Sequence, residues 1–507
     1  MDAINFDLVA IGAGCFTICY AAANVYYSSF NGPLATLPGP ASSKFTGLPV
    51  VYQVYHGTIM YFLHDLHKRH GPIVRVTPSE VSISDPKAAK EIHKFRSEYL
   101  KTQFYEDASF DEAQNVFTTA DPVYHAEWRR LFAKAVSQSN LITFQPLIQK
   151  YVEILIRKIE RERREQGYVD LVKWLKSFTS DITGELSVGS SLGMLETGEE
   201  HQYVKDIKRV MPLNIFRLAL WQGDFAKMRH LPFFPFATLR GVSTRLASFA
   251  KSYIDDYRAR LGSGTTSYTI LLDKALETQA REGRISEPEI LSNAVILMLA
   301  GTDTTANTLA YMLWLLAKYP DVKAKLVEEI EQARLPGNPG IEELGKLKYL
   351  DHFMLEVMRL YGAAPGPLPA RWYPAGGRTI CGHFVPAGMT FSPIAYSISR
   401  DPAVYPDPDT FNPDRWADAT TAMKEADFSF GGGTRICLGM HIANLEMRMV
   451  VVAFLRSPLR DAQLAYGVNG FSEGGMKQLE AIAARPWGDQ VLIHYAAWAG
   501  CPMGAEH

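Results

Sequence analysis

Apolar residues recur every three or four positions along most of the chain, the spacing that places them on one face of an α-helix. The longest such segment begins at a capping box, in which Glu289 follows Ser286 by three residues. Alternating residues over 73–84 predict a small β-hairpin, and residues 378–385 predict part of another. We therefore expect a mainly α-helical body with small β-sheets. The predicted helices are 122–135, 143–165, 171–188, 235–261, 267–281, 286–318, 347–361 and 438–456.

An uncharged stretch lies near the N-terminus, from Leu8 to Tyr27. As a helix it would span about 30 Å, the thickness of the hydrocarbon core of a bilayer. It lacks the basic start of a cleaved signal peptide, so we expect an uncleaved transmembrane anchor with the rest of the chain in the cytosol; a buried core helix is the alternative. The pattern predicts an anchor over 1–30, a Pro/Gly-rich hinge over 31–45 and one large domain over 46–500.

Composition narrows the class of protein. The chain has 507 residues, of which 47% are hydrophobic, so it can bury a sizeable core and is not a disordered protein. Its formal net charge of −2 argues against a chain-wide basic surface, and we expect no nucleic-acid partner. The 5 cysteines are scattered, which is not typical of a disulfide scaffold.

The longest predicted helix carries a polar patch at its centre, around Asp303 and Thr304. The helix is too apolar for the surface, and Gly301 weakens it at this point by about 1 kcal/mol relative to alanine. One interpretation is a ligand that presses on a distorted turn open to water. The other is a salt-bridged Asp303 with threonine hydroxyls bonded back to the helix carbonyls. The sequence alone leaves both open.

A glycine-rich loop precedes the last long helix and ends near Cys437. A thiolate at this position would gain from the N-terminus of that helix and from Arg435, and Gly439 would let a flat group lie near the first turn. Two alternatives are a zinc site shared with His441 and a nucleophilic cysteine. Zinc would need a second Cys/His pair and a nucleophile would need a partner base, and the neighbouring sequence shows neither.

These motifs together resemble those of the cytochrome P450 haem-thiolate monooxygenases, microsomal type. The family's haem-binding signature, Phe-x-x-Gly-x-Arg-x-Cys-x-Gly, is matched at every fixed position. Its Glu-x-x-Arg pair, its Pro-x-Arg-Phe-like segment and its acid–alcohol pair also agree in order and spacing over about residues 35–495, with Trp416 in place of the usual Phe. The matching residues are Phe430, Gly433, Arg435, Cys437 and Gly439; Glu356 and Arg359; Pro413 to Trp416; and Ala300 to Thr305.

The resemblance implies a cytochrome P450 fold and a role for each matching residue. Cys437 would be the axial thiolate ligand of haem b, and Asp303 and Thr304 would deliver protons during oxygen activation. A buried ion network would hold the cysteine loop through Glu356, Arg359 and Arg415. His125 stands where the family often has Trp, and Arg371 follows Pro369 with one residue more than the family pattern. The residues expected to contact haem are His125, Arg129, Arg371, Phe430, Gly433, Arg435 and Gly439.

The implied activity is oxidation of a lipophilic small molecule by O₂, in fungal secondary metabolism, at the endoplasmic reticulum membrane. FAD, FMN and NADPH motifs are missing from the sequence, so the electrons of NADPH would come through a separate cytochrome P450 reductase, with cytochrome b5 as an optional donor. The segment with Arg129, Arg130 and Lys134 would attract an acidic reductase surface. A haem-thiolate isomerase or dehydratase that needs no external electrons is one alternative, and a non-enzymatic haem-binding protein is another. Segments 102–121, 208–236, 363–372 and 470–478 would line the substrate pocket.

Overall fold

The computed structural model describes residues 34–107, 109, 113–222, 236–264, 269–367, 371–372, 376–481 and 483–495, together with Tyr26 and Phe30. Apart from Tyr26, the predicted anchor Leu8–Tyr27 lies outside the described residues. Within the described ranges, no helix combines the length and the apolar character that crossing a bilayer requires.

The body is mainly α-helical, as predicted. Seven of the eight predicted helices agree with the structure to within two residues at each end. The eighth, predicted from 267, begins at Asp273, whose carboxylate accepts a hydrogen bond from the amide of Ile270 in the preceding turn. The helices are α1 (Leu48–Tyr55), α2 (Ile59–His70), α3 (Pro86–Ile92), α4 (Phe104–Asp107), α5 (Pro122–Ala133), α6 (Leu141–Gln166), α7 (Leu171–Val188), α8 (Met194–Thr197), α9 (Gln202–Gln222), α10 (Phe236–Gly262), α11 (Asp273–Glu282), α12 (Glu287–Lys318), α13 (Pro320–Gln332), α14 (Ile341–Leu344), α15 (Lys348–Tyr361), α16 (Ala395–Ile398), α17 (Thr421–Glu425) and α18 (Met440–Arg456).

Several helices of the structure were not predicted from the sequence pattern. Both α1 and α13 carry proline in the first turn, where its missing N–H costs nothing, although proline elsewhere ends helices. Helix α13 begins directly after α12, with Tyr319 between the two helices, and it was not predicted. Helix α9 continues through Pro212, a residue that argues against a helix interior.

Four small sheets accompany the helices. The largest has the strand order β1-β2-β8-β5-β3, in which β1 and β2 form the predicted antiparallel hairpin and β2 pairs in parallel with β8. The predicted hairpin over 378–385 is also present, as β6 and β7. The strands are β1 (Ile73–Thr77), β2 (Glu80–Ile83), β3 (Leu100–Lys101), β4 (Tyr168–Asp170), β5 (Arg371–Trp372), β6 (Arg378–Ile380), β7 (His383–Val385), β8 (Thr390–Pro393), β9 (Ala462–Leu464), β10 (Gln478–Ala481), β11 (Ala483–Pro486) and β12 (Leu492–Tyr495).

Helix α12 runs through the interior, as its apolar composition predicts. Helix α7 packs along it more extensively than any other described element. Gly301 makes this close packing possible, because a Cβ at this position would lie 2.7 Å from Oγ1 of Thr183 on α7. The glycine is therefore required where two interior helices meet.

Candidate active site

The centre of α12 borders a cavity. Ala300 is exposed and residues 301–304 are half-buried, whereas the stretch from Thr305 to Leu316 is buried throughout. Accessible side chains in the middle of an interior helix show that this face is not covered by neighbouring protein. One of the two interpretations of the sequence places a ligand against this same turn.

The polar groups of this turn differ in how they are bonded. Oγ1 of Thr302 donates to the carbonyl of Met298 at 2.9 Å, and Oγ1 of Thr304 donates to the carbonyl of Ala300 at 2.8 Å. The predicted back-bonding of the hydroxyls is therefore present. Among the described residues, Asp303 has neither an ion pair nor a side-chain hydrogen bond, so the salt-bridge alternative finds no support.

The loop that precedes α18 is fixed by its glycines and by one backbone hydrogen bond. Gly433 has a φ of 59°, and a Cβ there would lie 2.0 Å from the carbonyl oxygen of His93. The amide of Cys437 donates to the carbonyl of Phe430 at 2.9 Å, which closes the loop. Glycine is thus required at this position both by the left-handed backbone and by the close approach of the His93 carbonyl.

The side chain of Cys437 is exposed, although protein atoms surround it on most sides. Burial raises the pKa of the Cys437 thiol, whereas the amides of Gly439 and Met440 and the charge of Arg129 act in the opposite direction. A Cβ at Gly439 would meet no atom within 4 Å, so there is open space next to the thiol. The thiol therefore faces a recess, with groups around it that stabilise a thiolate once a metal ion has displaced the proton.

Two arginines lie close to this loop. Nη1 of Arg129, on α5, donates to the carbonyl of Ile436 at 2.7 Å, and burial lowers the pKa of its guanidinium. Nη1 of Arg435 donates to the carbonyl of Thr119 at 3.1 Å. His125 is buried one helical turn before Arg129 on the same helix. The backbone of Arg371 lies in β5, paired with Lys101, and its side chain is outside the described part of the chain.

Residues 113–119 connect the two sides of the recess. The amide of Val116 donates to Oδ1 of Asn293 on α12 at 2.9 Å, while Thr119 accepts the hydrogen bond from Arg435. The ring of Phe117 is 45% exposed between two buried neighbours, as expected for a residue that lines a cavity. Two other aromatic residues of segment 102–121, which was expected to line the pocket, are Phe104 and Tyr105, and both belong to the core because they are buried.

The ion network around Glu356 is present as the resemblance implies. The carboxylate is fully buried and accepts hydrogen bonds from Arg359 at 2.8 and 2.9 Å and from Arg415 at 3.0 Å. Both guanidinium groups also donate to backbone carbonyls between residues 399 and 410. The described hydrogen bonds therefore fix segment 399–416 and reach the cysteine loop only indirectly.

An apolar cluster makes that indirect connection. Trp416 belongs to a buried group with Met423 and Ala426, and Phe428 at the start of the cysteine loop packs against the group. The expected support of the loop by the ion network thus passes through side-chain packing.

Sequence reasoning missed two donors to Glu356 and one acceptor of Arg435. The amide of Asn412 and the indole N–H of Trp416 each donate to the Glu356 carboxylate at 2.9 Å. The donor from Trp416 could have been found in the sequence, because tryptophan in place of the usual phenylalanine adds an N–H donor. The acceptor at Thr119 could not have been found, because it is a backbone carbonyl, which every residue has.

The donors around Cys437 suit haem better than zinc. In the described part of the chain, no three His, Cys, Asp or Glu side chains group together as a metal site, so the alternative with His441 lacks the further ligands that zinc requires. Haem takes one thiolate from the protein, needs cations for its propionates and needs open space beside the ligand. Cys437, the two arginines and Gly439 fit these requirements.

Known proteins are similar to this chain in sequence. The family model described as Cytochrome P450 matches residues 38–457. The chain is 36% identical to the cytochrome P450 monooxygenase tazI of Aspergillus terreus over 473 residues, which cover 92% of this chain and 95% of tazI. It is 32% identical to the cytochrome P450 monooxygenase orf2 of Aspergillus niger over 95% of this chain and 97% of that protein. It is also 30% identical to an averantin hydroxylase of Dothistroma septosporum over 85% of this chain and 81% of that protein.

The helical fold, the glycine-bounded cysteine loop and the similarity over most of the chain agree with one another. Members of the matched family carry haem on a cysteine thiolate. The chain therefore belongs to the cytochrome P450 family and is an oxidoreductase of its monooxygenase class.

Proposed function

We propose that this protein is a haem b monooxygenase that inserts one atom of O₂ into a lipophilic small molecule in fungal secondary metabolism. The observation that carries the proposal is the accessible thiol of Cys437, which faces open space at Gly439 and lies beside Arg129. The catalytic domain is proposed to extend over 46–500.

Cys437 would supply the thiolate that holds the haem iron, and the amides of Gly439 and Met440 would stabilise the charge on its sulfur. Arg129 and Arg435 supply the positive charge that the haem propionates need, with His125 and Arg371 as further proposed contacts. Phe430 and Gly433 would shape the cysteine loop that holds the haem. The carbonyl of Phe430 accepts a hydrogen bond from the Cys437 amide, and Gly433 permits the close contact with the His93 carbonyl.

Haem on a thiolate supplies the activation of O₂ when it is bound. The chain's own part is to manage protons at the opposite wall. Oγ1 of Thr304 can turn from the carbonyl of Ala300 and donate a proton into the cavity. Asp303, half-buried and without a salt bridge among the described residues, can replace that proton from solvent.

Electrons are proposed to come from NADPH through a separate reductase, with cytochrome b5 as an optional donor. Arg130, on α5, and Lys134, directly after its last residue, support this. Both are exposed, and Arg129 on the same helix contacts the cysteine loop. An acidic partner surface would be attracted to this face.

The proposed location is the endoplasmic reticulum membrane, with residues 1–30 as a single-pass anchor and 31–45 as a hinge. A patch of apolar side chains on and before α1 supports contact with lipid, because large exposed apolar residues close together mark interaction surfaces. Its members are Phe45, Leu48, Tyr52 and Tyr55, each between 45% and 59% exposed.

Purified full-length protein with haem, NADPH and a fungal reductase tests the proposal. We expect a thiolate-type spectrum of the reduced carbon monoxide complex and product formation that depends on NADPH, reductase and O₂. Turnover without electrons would instead indicate the isomerase or dehydratase alternative, and a protein that takes up no haem would overturn the proposal. The intact Asp303–Thr304 pair favours the monooxygenase, since haem-thiolate enzymes that need no electrons have no use for a proton relay.

A further inference from the structure

Three aromatic rings contact one another along the buried half of α12. The ring centroids of Tyr311 and Trp314, both buried on this helix, lie 6.3 Å apart. Tyr361, the last residue of α15, contacts both: it stacks on Tyr311 at 4.7 Å and meets the edge of Trp314 at 5.7 Å. Tyrosine and tryptophan lose one electron more readily than other ring side chains. The three rings therefore form a continuous path for an electron.

The path begins on the helix that borders the cavity. Tyr311 follows Thr304 by seven residues, almost two full turns, so it lies on the same side of α12 about 10 Å further along the axis. Trp314 lies about one turn beyond Tyr311. An electron crosses such distances by tunnelling through the protein between donor and acceptor, so no further contact with the cavity is required.

The path ends at the surface. The indole N–H of Trp314 donates to the phenol oxygen of Tyr466 at 3.3 Å. Tyr466 is 45% exposed, and its ring is held by stacking on Phe471, with a distance of 5.1 Å between the ring centroids. One hydrogen bond therefore connects the buried rings to a phenol that solvent can reach.

Tyr466 also has a base for its proton. Its hydroxyl donates to the carboxylate of Glu473. Burial raises the pKa of the Glu473 carboxyl, but the hydrogen bonds from Lys318 and Tyr466 together hold it below the ordinary value. Glu473 is therefore ionised at neutral pH and can take the phenol proton when Tyr466 loses an electron.

The buried end of the path differs from this arrangement. Among the described residues, the hydroxyl of Tyr311 has no hydrogen-bond partner, so no base is present to accept its proton. Trp314 can lose an electron without releasing a proton at once, because an indole ring carries a positive charge for a short time. The ammonium of Lys318 lies 4.7 Å from the centre of that ring and opposes the charge. Oxidation of Trp314 is thus passed on to Tyr466.

We propose that Trp314 and Tyr466 form an electron path that removes an oxidising equivalent left at the cavity when activation of O₂ is not followed by attack on a substrate. This rests on the proposed haem monooxygenase function and assigns a protective reaction to it. Tyr466 loses one electron through Trp314 and its O–H proton to Glu473, which leaves a neutral phenoxyl radical at the surface.

A dissolved thiol restores Tyr466. The S–H bond breaks and the phenol O–H bond forms again as the thiol gives up a hydrogen atom, and two of the resulting thiyl radicals combine to a disulfide. Glu473 returns its proton to water. Each cycle therefore delivers one electron to the cavity at the expense of one thiol hydrogen atom.

Spin trapping in the haem-loaded full-length enzyme tests the proposal. Hydrogen peroxide, added without substrate, replaces O₂, NADPH and reductase, and a nitroso compound traps the radical. Electron paramagnetic resonance measures the yield of adduct, and peptide mass spectrometry locates it. We expect the wild type to carry the adduct on Tyr466 and to lose it when glutathione is added.

Three variants separate the parts of the path. Tyr466→Phe should lose the adduct at this position and bleach its haem faster in peroxide. Trp314→Phe removes the indole N–H and Glu473→Gln removes the base, so each should lower the yield at Tyr466 about tenfold. Tyr253→Phe is the matched control, because it removes a phenol that is also hydrogen-bonded to a base, His201 at 3.2 Å, outside the ring cluster. It should leave the yield at Tyr466 unchanged.

A wild-type enzyme without a radical at Tyr466, or an undiminished yield in either Trp314→Phe or Glu473→Gln, would overturn the proposal. Should the buried Trp314→Phe substitution prevent folding, Glu473→Gln, at a residue near the surface, decides. The carbon monoxide spectrum distinguishes this result from failure of the proposed function. A wild type that takes up no haem would overturn both, whereas equal adduct yields with an intact spectrum would overturn this inference alone.

Discussion

The indole N–H of Trp416 donates a 2.9 Å hydrogen bond to Oε2 of Glu356, a carboxylate that is fully buried. The same tryptophan belongs to the apolar cluster against which Phe428 packs. One side chain therefore joins the ion network to the start of the cysteine loop, through a polar contact on one side and an apolar contact on the other.

Trp416→Phe should destabilise the protein by about 1–3 kcal/mol, because it leaves a buried charged acceptor with one donor fewer. Denaturant unfolding of the haem-loaded enzyme measures the change. The control is Asp351→Asn, which removes an ion pair with Arg448 at 2.7 Å whose side chains are about a quarter exposed, and we expect it to cost at most about 1 kcal/mol. Equal losses in the two variants would show that the indole N–H does not matter.

Cys437→Ser should abolish the red-shifted band of the reduced carbon monoxide complex, because a serine cannot provide the thiolate. Cys381→Ser is the control, since Cys381 is the other free cysteine in the described part of the chain and burial raises the pKa of its thiol to about 11. Difference spectra of both purified variants decide the matter. Survival of the band in Cys437→Ser would assign the ligand to another residue.

Thr304→Ala should uncouple NADPH consumption from product formation. Without the hydroxyl the delivery of protons slows, so we expect the yield of product per NADPH to fall by about tenfold or more, with a matching rise in hydrogen peroxide. Thr308→Ala removes a similar back-bonded hydroxyl one turn further along, where the side chain is buried, and should leave coupling close to that of the wild type. Unchanged coupling in Thr304→Ala would remove the proposed role.

Charge reversal at Arg130 and Lys134 should slow reduction by the reductase about tenfold at low ionic strength, and the difference should shrink as salt is added. Stopped-flow reduction under carbon monoxide measures the rate. Arg69→Glu changes an exposed charge at the end of α2, which is paired with Asp65, and should have little effect. A double variant that is reduced as fast as wild type would place the reductase on another face.

Glu446 predicts a pH dependence of stability. It is 4% exposed on α18, and burial raises its pKa from an ordinary 4.5 to about 8. Between these values the folded state holds a proton that the unfolded state has lost, so stability decreases as pH rises, by at most about 1.4 kcal/mol per pH unit.

Glu446→Gln should remove that contribution and flatten the decrease between pH 4.5 and 8. Unfolding in urea at several pH values measures the slope, and Glu425→Gln, at an exposed residue, is the control. A slope that is the same in Glu446→Gln and in wild type would contradict the prediction.

The sequence was sufficient for the helices with a clean apolar period and for the motifs of the site. Helix α7 was predicted to the residue, and the capping box at Ser286 marked the start of α12. Helix α13 shows the limit, because it was not predicted although the end of α12 at Lys318 was.

Contacts made by backbone groups could not be predicted from the sequence. The carbonyl of Thr119 that accepts from Arg435, and the carbonyl of His93 against Gly433, carry no side-chain signature. The sequence also does not show that Oε2 of Glu480, on β10, is buried without a hydrogen-bond partner among the described residues, because this depends on which elements pack around it.

The packing of Gly301 against Thr183 has a consequence for engineering. The turn of α12 that contains Ala300 cannot shift away from the cavity, because α7 already contacts Gly301 on the other side. Oγ1 of Thr183 on α7 is itself fixed, since it donates to the carbonyl of Thr179 at 2.6 Å. Attempts to admit bulkier molecules by redesigning this helix crossing should yield misfolded protein. Directed evolution of this scaffold would do better to randomise the loop that carries Phe117, whose ring is exposed.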